Sequence, residues 1–194
     1  MSSIRVYAPA SIGNVAAGFD VLGAAILPVD GAPWGDVVTV ESAPVDTFAA
    51  EGRFAAHLPE DPRDNLVLHA RRLFDEACCG GLPPVSIRLS KELPVSSGLG
   101  SSSSSVVATL VALNVWRGRP LGDQSLLRLA GAAESVSSGA AHLDNVAPAL
   151  HGGLQLVTGI GEARRLPFPD DLCFAVLHPE LELSTAASRA ALPR

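Results

Sequence analysis

The sequence predicts a mixed domain of short strands and helices, of the α/β or α+β class. Three observations carry that prediction. Several short segments alternate apolar and polar residues with β-branched side chains, as half-buried strands do. Between them lie segments with apolar residues at helical spacing. The chain of 194 residues is 47% hydrophobic and 18% charged, which suits a domain large enough to bury a core.

Ile4 to Ala8 alternates as a strand and should end at Pro9. Ser11 to Asp20 is a loop of small residues, and Val21 to Leu27 turns apolar again. Asp36-Val37-Val38-Thr39-Val40-Glu41 is a β-branched strand. From Asn65 to Ala77, Leu66, Leu68, Ala70, Leu73, Phe74 and Ala77 fall at helical spacing. Val85 to Leu89 alternates as another strand. The segment from Ser102 to Trp116 is apolar on nearly every side, which predicts a central helix. A further helix is expected over Asp123 to Val136, with Asp123 as its N-cap and a stop near Ser137-Ser138-Gly139. Gly152 to Val157 and Leu172 to Leu177 read as two more strands.

The richest segment is Leu93-Pro94-Val95-Ser96-Ser97-Gly98-Leu99-Gly100-Ser101-Ser102-Ser103-Ser104-Ser105, which runs straight into the central helix. A helix start has unpaired N–H groups and a partial positive charge, and together these attract phosphate. Gly98 and Gly100 allow a tight turn and close approach of the backbone to a ligand. The serine hydroxyls can cap the helix or serve as an oxygen ligand for Mg²⁺. A flexible Ser/Gly linker would not lead directly into a helix-length apolar segment. A Walker loop is disfavoured because the only lysine, Lys91, precedes the glycines. A dinucleotide fingerprint is disfavoured because Ser103 stands where the third glycine belongs. No G-x-S-x-G order occurs.

Net charge is −6, so the global field favours neither nucleic acid nor an anionic membrane. Cys78, Cys79 and Cys173 have neither disulfide-framework nor zinc spacing, and free thiols suit a reducing compartment. The N-terminus lacks an apolar signal-like core, and no run is long enough to span a bilayer. A cytoplasmic protein is expected.

The Gly-Ser segment resembles the ATP-binding motif of the GHMP kinases: an apolar residue, Pro, a spacer, then Gly-Leu-Gly-Ser-Ser and small residues. Every position from Leu93 to Ser104 fits. Ala8 to Ala25 and Glu134 to Leu150, followed by Gly152-Gly153, are similar to the homoserine-kinase branch of that superfamily, and Ser184 to Pro193 resembles the start of its second half. The resemblance implies an α+β fold, a GHMP-kinase N-terminal domain with a left-handed βαβ unit over residues 1–168. Residues 169–194 would begin an incomplete C-terminal α+β domain, since the sequence ends before the family's third motif. It also implies ATP and Mg²⁺ as cofactors, L-homoserine as acceptor, O-phospho-L-homoserine for threonine synthesis as product, and a homodimer for the longer enzyme.

Residue roles follow from the same resemblance. Pro94 and Ser96 through Ser104 would wrap the ATP phosphates, and Asn65 would lie near the nucleoside or cap the helix it precedes. Glu134 sits near a helix end, where the macrodipole disfavours an acid. With Ser101 or Ser102 it would hold Mg²⁺, the phosphates and waters completing the octahedron. Asn14, Asp20, His142 and Arg189 would contact the amino-acid substrate, Asp20 through its ammonium and Arg189 through its carboxylate. Thr185 would also lie at the substrate. Asn145 replaces the Asp that serves related kinases as candidate base. An amide cannot take the hydroxyl proton, so the implied mechanism is direct in-line transfer. The alternatives are another small-molecule GHMP kinase and a nucleotide-binding fragment without catalysis.

Overall fold

The computed structural model describes residues 3–16, 18–138, 142–169 and 171–177. Its strands are Ile4–Pro9 (β1), Ser11–Ile12 (β2), Leu22–Ala25 (β3), Gly35–Ser42 (β4), Thr47–Glu51 (β5), Val85–Ser90 (β6), Leu154–Gly159 (β7) and Glu162–Leu166 (β8). Its helices are Leu66–Ala77 (α1), Ser101–Trp116 (α2), Asp123–Ser138 (α3) and Val146–His151 (α4). The fold is α+β, as the sequence predicts.

Among the described residues two four-stranded sheets form, in the orders β1-β4-β6-β5 and β2-β3-β7-β8. The second is antiparallel throughout. In the first, β5 and β6 are parallel neighbours joined through α1, which makes a βαβ unit. β4 shows why its residues make a strand: Asp36, Val38 and Val40 are buried on one face while Val37 and Thr39 face the other way. In β6, Val85, Ile87 and Leu89 fill the matching row.

α2 lies against β1 and β4, with α1 and α3 beside it. Nearly all of it is buried, from Ser101 to Asn114, as the all-round apolar sequence predicts. α1 presents Val67, Ala70 and Phe74 to the core. No described helix is long and apolar enough to cross a membrane.

Several boundaries differ from the sequence reading. β1 runs through Pro9, which is tolerated because β1 is a sheet edge. Asp123 is not the N-cap of α3 but its first helical residue, with Gly122 O accepting the first helical hydrogen bonds. β7 starts at Leu154 rather than Gly152 because the chain is still turning at Gly152 and Gly153. Leu172 to Leu177 is not a strand. Its alternation supplies propensity, but among the described residues no strand pairs with it, and it is exposed throughout. Phe168 and Phe174 stack there with ring centroids 5.2 Å apart.

Candidate active site

The site is built around the turn from β6 into α2. Leu99 is 4% exposed and packs with Ala10, Ile26 and Leu93 in a small apolar cluster flanked by Ile12 and Trp34. Burying one such side chain stabilises by about 1.5–3 kcal/mol, so Leu99 plugs the loop into the body of the domain. Its carbonyl accepts from Ser11 N–H at 3.0 Å. Around the plug, Ser96, Gly98 and Gly100 all have positive φ, at 58°, 73° and 62°. The chain therefore turns sharply and leaves Val95, Ser96 and Gly98 facing solvent.

The two glycines do different work. A Cβ on Gly98 would meet nothing within 4 Å, so the space beside it is open to a ligand. A Cβ on Gly100 would lie 2.0 Å from Ser11 Oγ and 3.0 Å from Asn145 Oδ1. Gly100 is thus required by packing inside the protein, and not only by approach of a ligand.

Gly100 is the N-cap of α2 and carries no side chain to cap it. The serines do not take that part either, contrary to the expectation from their number. Ser101 Oγ donates to Leu93 O at 3.1 Å, Ser104 Oγ to Ala8 O at 2.7 Å and Ser105 Oγ to Asp36 Oδ2 at 2.6 Å. Ser97 Oγ donates to Pro94 O at 2.7 Å and accepts from Leu99 N–H at 3.3 Å. The first-turn N–H groups of α2 are left to whatever binds there.

Ser102 and Ser103 turn to α3 instead. Ser102 Oγ donates to Glu134 Oε2 at 2.9 Å. Glu134 is 8% exposed. Burial pushes its carboxyl up to about 7, although hydrogen bonds from Ser102 and Ser103 and the charge of Lys91 pull the other way. A carboxylate this costly to ionise gains most from a nearby cation. Among the described residues no three His, Cys, Asp or Glu side chains converge on a metal. One carboxylate and one hydroxyl beside a phosphate cradle fit Mg²⁺, which takes few protein ligands and completes its shell with phosphate and water. Ser101, committed to Leu93, stands apart from this pair.

On the other side of Gly100, Asn145 receives a 3.0 Å hydrogen bond at Oδ1 from Ser11 Oγ. Next to it Asp144, 2% exposed, accepts from Asn14 N–H at 3.1 Å. Burial, and then the charge of Asp20, raise the Asp144 carboxyl above its ordinary value. Asn14 Oδ1 accepts from Asp20 N–H at 2.8 Å, and Asp20 Oδ1 lies 3.7 Å from His142 Nδ1. His142 Nε2 is buried without a hydrogen-bond partner among the described residues. Asn14, Asp20, His142 and Asn145, which the sequence groups by resemblance, are therefore joined in one chain of contacts that ends at the phosphate loop.

Asn65 takes the cap role, one of its two expected readings. Its Oδ1 accepts from Val67 N–H at 3.0 Å and Leu68 N–H at 3.4 Å, so it caps α1. Thr185 and Arg189 lie outside the described residues. Sequence reading missed Ser11, Asp36 and Lys91. Ser11 gave no signal beyond a small residue in a loop. Asp36 and Lys91 could have been found by alternation, since Asp36 falls on the core-facing row of β4 and Lys91 continues that of β6 one residue past its end.

Residues 65–153 match the family model described as GHMP kinases N terminal domain. The structure superposes on a crystal structure of homoserine kinase from Cytophaga hutchinsonii with a TM-score of 0.83 and 33% identity, covering 100% of this chain and 61% of that one. A protein of Listeria monocytogenes assigned as a homoserine kinase matches with a TM-score of 0.63 and 27% identity, over 87% of this chain and 55% of that one. The mevalonate kinase of Methanococcus jannaschii shares the fold, with a TM-score of 0.63 at 16% identity. The chain thus spans less than two thirds of the structures it resembles.

Proposed function

We propose that this chain, which carries a GHMP kinase N-terminal domain, is the nucleotide-binding part of an ATP-dependent kinase whose acceptor is the hydroxyl of L-homoserine. The observation that carries the reading is the uncapped start of α2, with open space at Gly98 on one side and the Ser102–Glu134 pair on the other. That arrangement supplies donors for phosphate and anionic oxygen for a cation within one turn of helix.

Ser102 and Glu134 would hold Mg²⁺, which when bound neutralises charge on the phosphates. The loop's N–H groups and the α2 dipole stabilise the charge that spreads over the γ-phosphoryl oxygens during transfer. Asn145, fixed by Ser11, would hold the acceptor hydroxyl without removing its proton, since an amide is no base at neutral pH. The acceptor oxygen then attacks phosphorus in line, the bond to the ADP oxygen breaks, and the hydroxyl proton leaves with the transferred phosphoryl group. Asp20 would receive the substrate ammonium, with His142 beside it. Thr185 and Arg189 complete the proposal on the acceptor side through the resemblance alone.

The finer choice of L-homoserine, and with it a place in threonine synthesis, is supported by the Asn at position 145 and by the 33% identity to the C. hutchinsonii enzyme. A second reading, nucleotide binding without turnover, rests on the same uncapped start of α2. A coupled ADP-release assay with homoserine, mevalonate and galactose, run beside calorimetric titration with Mg·ATP, separates them. Turnover confined to homoserine supports the first reading. Binding without turnover supports the second, and absence of binding removes both.

A further inference from the structure

One charged pair lies outside every role given above. Asp36, at the start of β4, is 0% exposed and Lys91, just past β6, is 2% exposed. Lys91 is the only lysine in the sequence. The β4–β6 register sets Val37 opposite Ser90, so one step further along the ladder Asp36 meets Lys91. Lys91 Nζ donates to Asp36 Oδ2. A buried ion pair gives little net stability, because desolvation offsets the attraction. Stability is therefore a poor account of its presence here.

Its other contacts supply a better one. Asp36 Oδ1 accepts from Glu92 N–H at 2.9 Å and from Leu93 N–H at 3.1 Å. Lys91 Nζ donates to Ser101 O at 2.8 Å and to Ser105 Oγ at 3.1 Å. Leu93 and Ser101 are the two ends of the phosphate loop, and Ser101 Oγ donates directly to Leu93 O at 3.1 Å. An ammonium has three donors. Asp36, Ser101 and Ser105 occupy all three, so Lys91 has none left for a phosphate.

We propose that Asp36 and Lys91 are positioning residues for nucleotide binding. The pair cinches the neck of the loop over residues 94–100, so that its N–H groups and the start of α2 are set before a nucleotide arrives. Ordering a loop in advance strengthens binding because that ordering is not charged against the complex. This inference rests on reading the loop as a phosphate cradle.

The test uses the whole chain and a charge-free pair, Asp36→Asn with Lys91→Met, in which the Asn oxygen can still accept from Glu92 and Leu93. Backbone hydrogen exchange and Mg·ATP titration are measured on both proteins. The expected result is faster exchange at Ser97–Ser102 in the free variant, with α1 unchanged. Mg·ATP affinity should fall by about tenfold or more, the loss being smaller in the exchange rates of the bound state. Ser105→Ala, which removes one support of the pair from inside a helix, should give about a threefold loss by the same argument, and it remains informative if the double variant fails to fold. Unchanged loop exchange and unchanged affinity in a folded variant overturn the inference. If the unaltered chain does not bind Mg·ATP, the cradle reading itself fails, and the inference falls with it.

Discussion

Ser102 Oγ donates a 2.9 Å hydrogen bond to Glu134 Oε2, joining the first turn of α2 to a carboxylate 32 positions along the chain. The contact places a buried acid beside a helix start, where positive potential is highest. It also orders two oxygens of the kind Mg²⁺ selects, at the mouth of the phosphate loop.

Glu134→Gln should therefore keep the shape of this contact and lose its charge. Mg²⁺-dependent enhancement of ATP binding is expected to fall by about tenfold or more, the cost of removing the one carboxylate ligand. Calorimetric titration with and without Mg²⁺ checks this. Equal Mg²⁺ dependence in both proteins would make Glu134 a buried acid with no metal role.

The same carboxyl should leave a mark on stability. Its pKa rises from 4.5 unfolded to about 7 in the fold. The folded state therefore holds the proton longer, and the resulting stability is complete below pH 4.5 and lost as pH rises toward 7. At about 1.4 kcal/mol per unit, the loss is on the order of 3 kcal/mol. Glu134→Gln should abolish that slope and be more stable than the unaltered chain at pH 8 without nucleotide. Urea unfolding at pH 5, 6, 7 and 8 measures it. Parallel pH profiles for the two proteins would contradict it.

Gly98 and Gly100 should separate binding from folding. Gly98→Ala meets no neighbour. It should cost about 1–2 kcal/mol of left-handed strain while lowering ATP affinity through the blocked approach. Gly100→Val drives a β-branched side chain into Ser11 and should destabilise the fold as well as abolish binding. Thermal unfolding and nucleotide titration on both variants decide; a stable Gly100→Val protein with normal affinity would remove the loop assignment.

How much was visible in advance depended on whether a residue's neighbours lay in sequence or in space. β4 and β6 alternate, and α2 is apolar all round, so local pattern sufficed. β5, Thr47 to Glu51, and β8, Glu162 to Leu166, are mostly exposed edge strands in which alanines and charged residues dilute the strand signal. α4 escaped notice because Pro148 sits inside it, in the first turn, where a missing N–H costs nothing. Leu172 to Leu177 had the pattern but lacks a partner strand among the described residues. In the site, Gly98, Gly100 and the helix start were legible as chemistry. The hydrogen bond between Ser11 and Asn145 spans 134 positions and exists only in the fold. Asp36 in β4 and Lys91 just past β6 continue alternating rows but are charged, and charge ordinarily marks a surface.

Asn65 offers a local check on a residue with two readings. As the cap of α1, its replacement by Ala should cost about 1 kcal/mol, while Asp should serve as well as Asn. Chemical denaturation of both variants measures this. A nucleotide affinity that drops equally in both, at unchanged stability, would instead favour contact with the nucleoside.

The central claim is that the start of α2 is a phosphate cradle, and backbone NMR during titration with Mg·ATP tests it most directly. The expected result is saturable shifts concentrated in the amides of Gly98 to Ser103, with smaller ones at Glu134 and Asn145. Shifts centred elsewhere, as at the cavity lined by Asp123, Leu127, His151 and Thr158, or no saturable shifts at all, would contradict it.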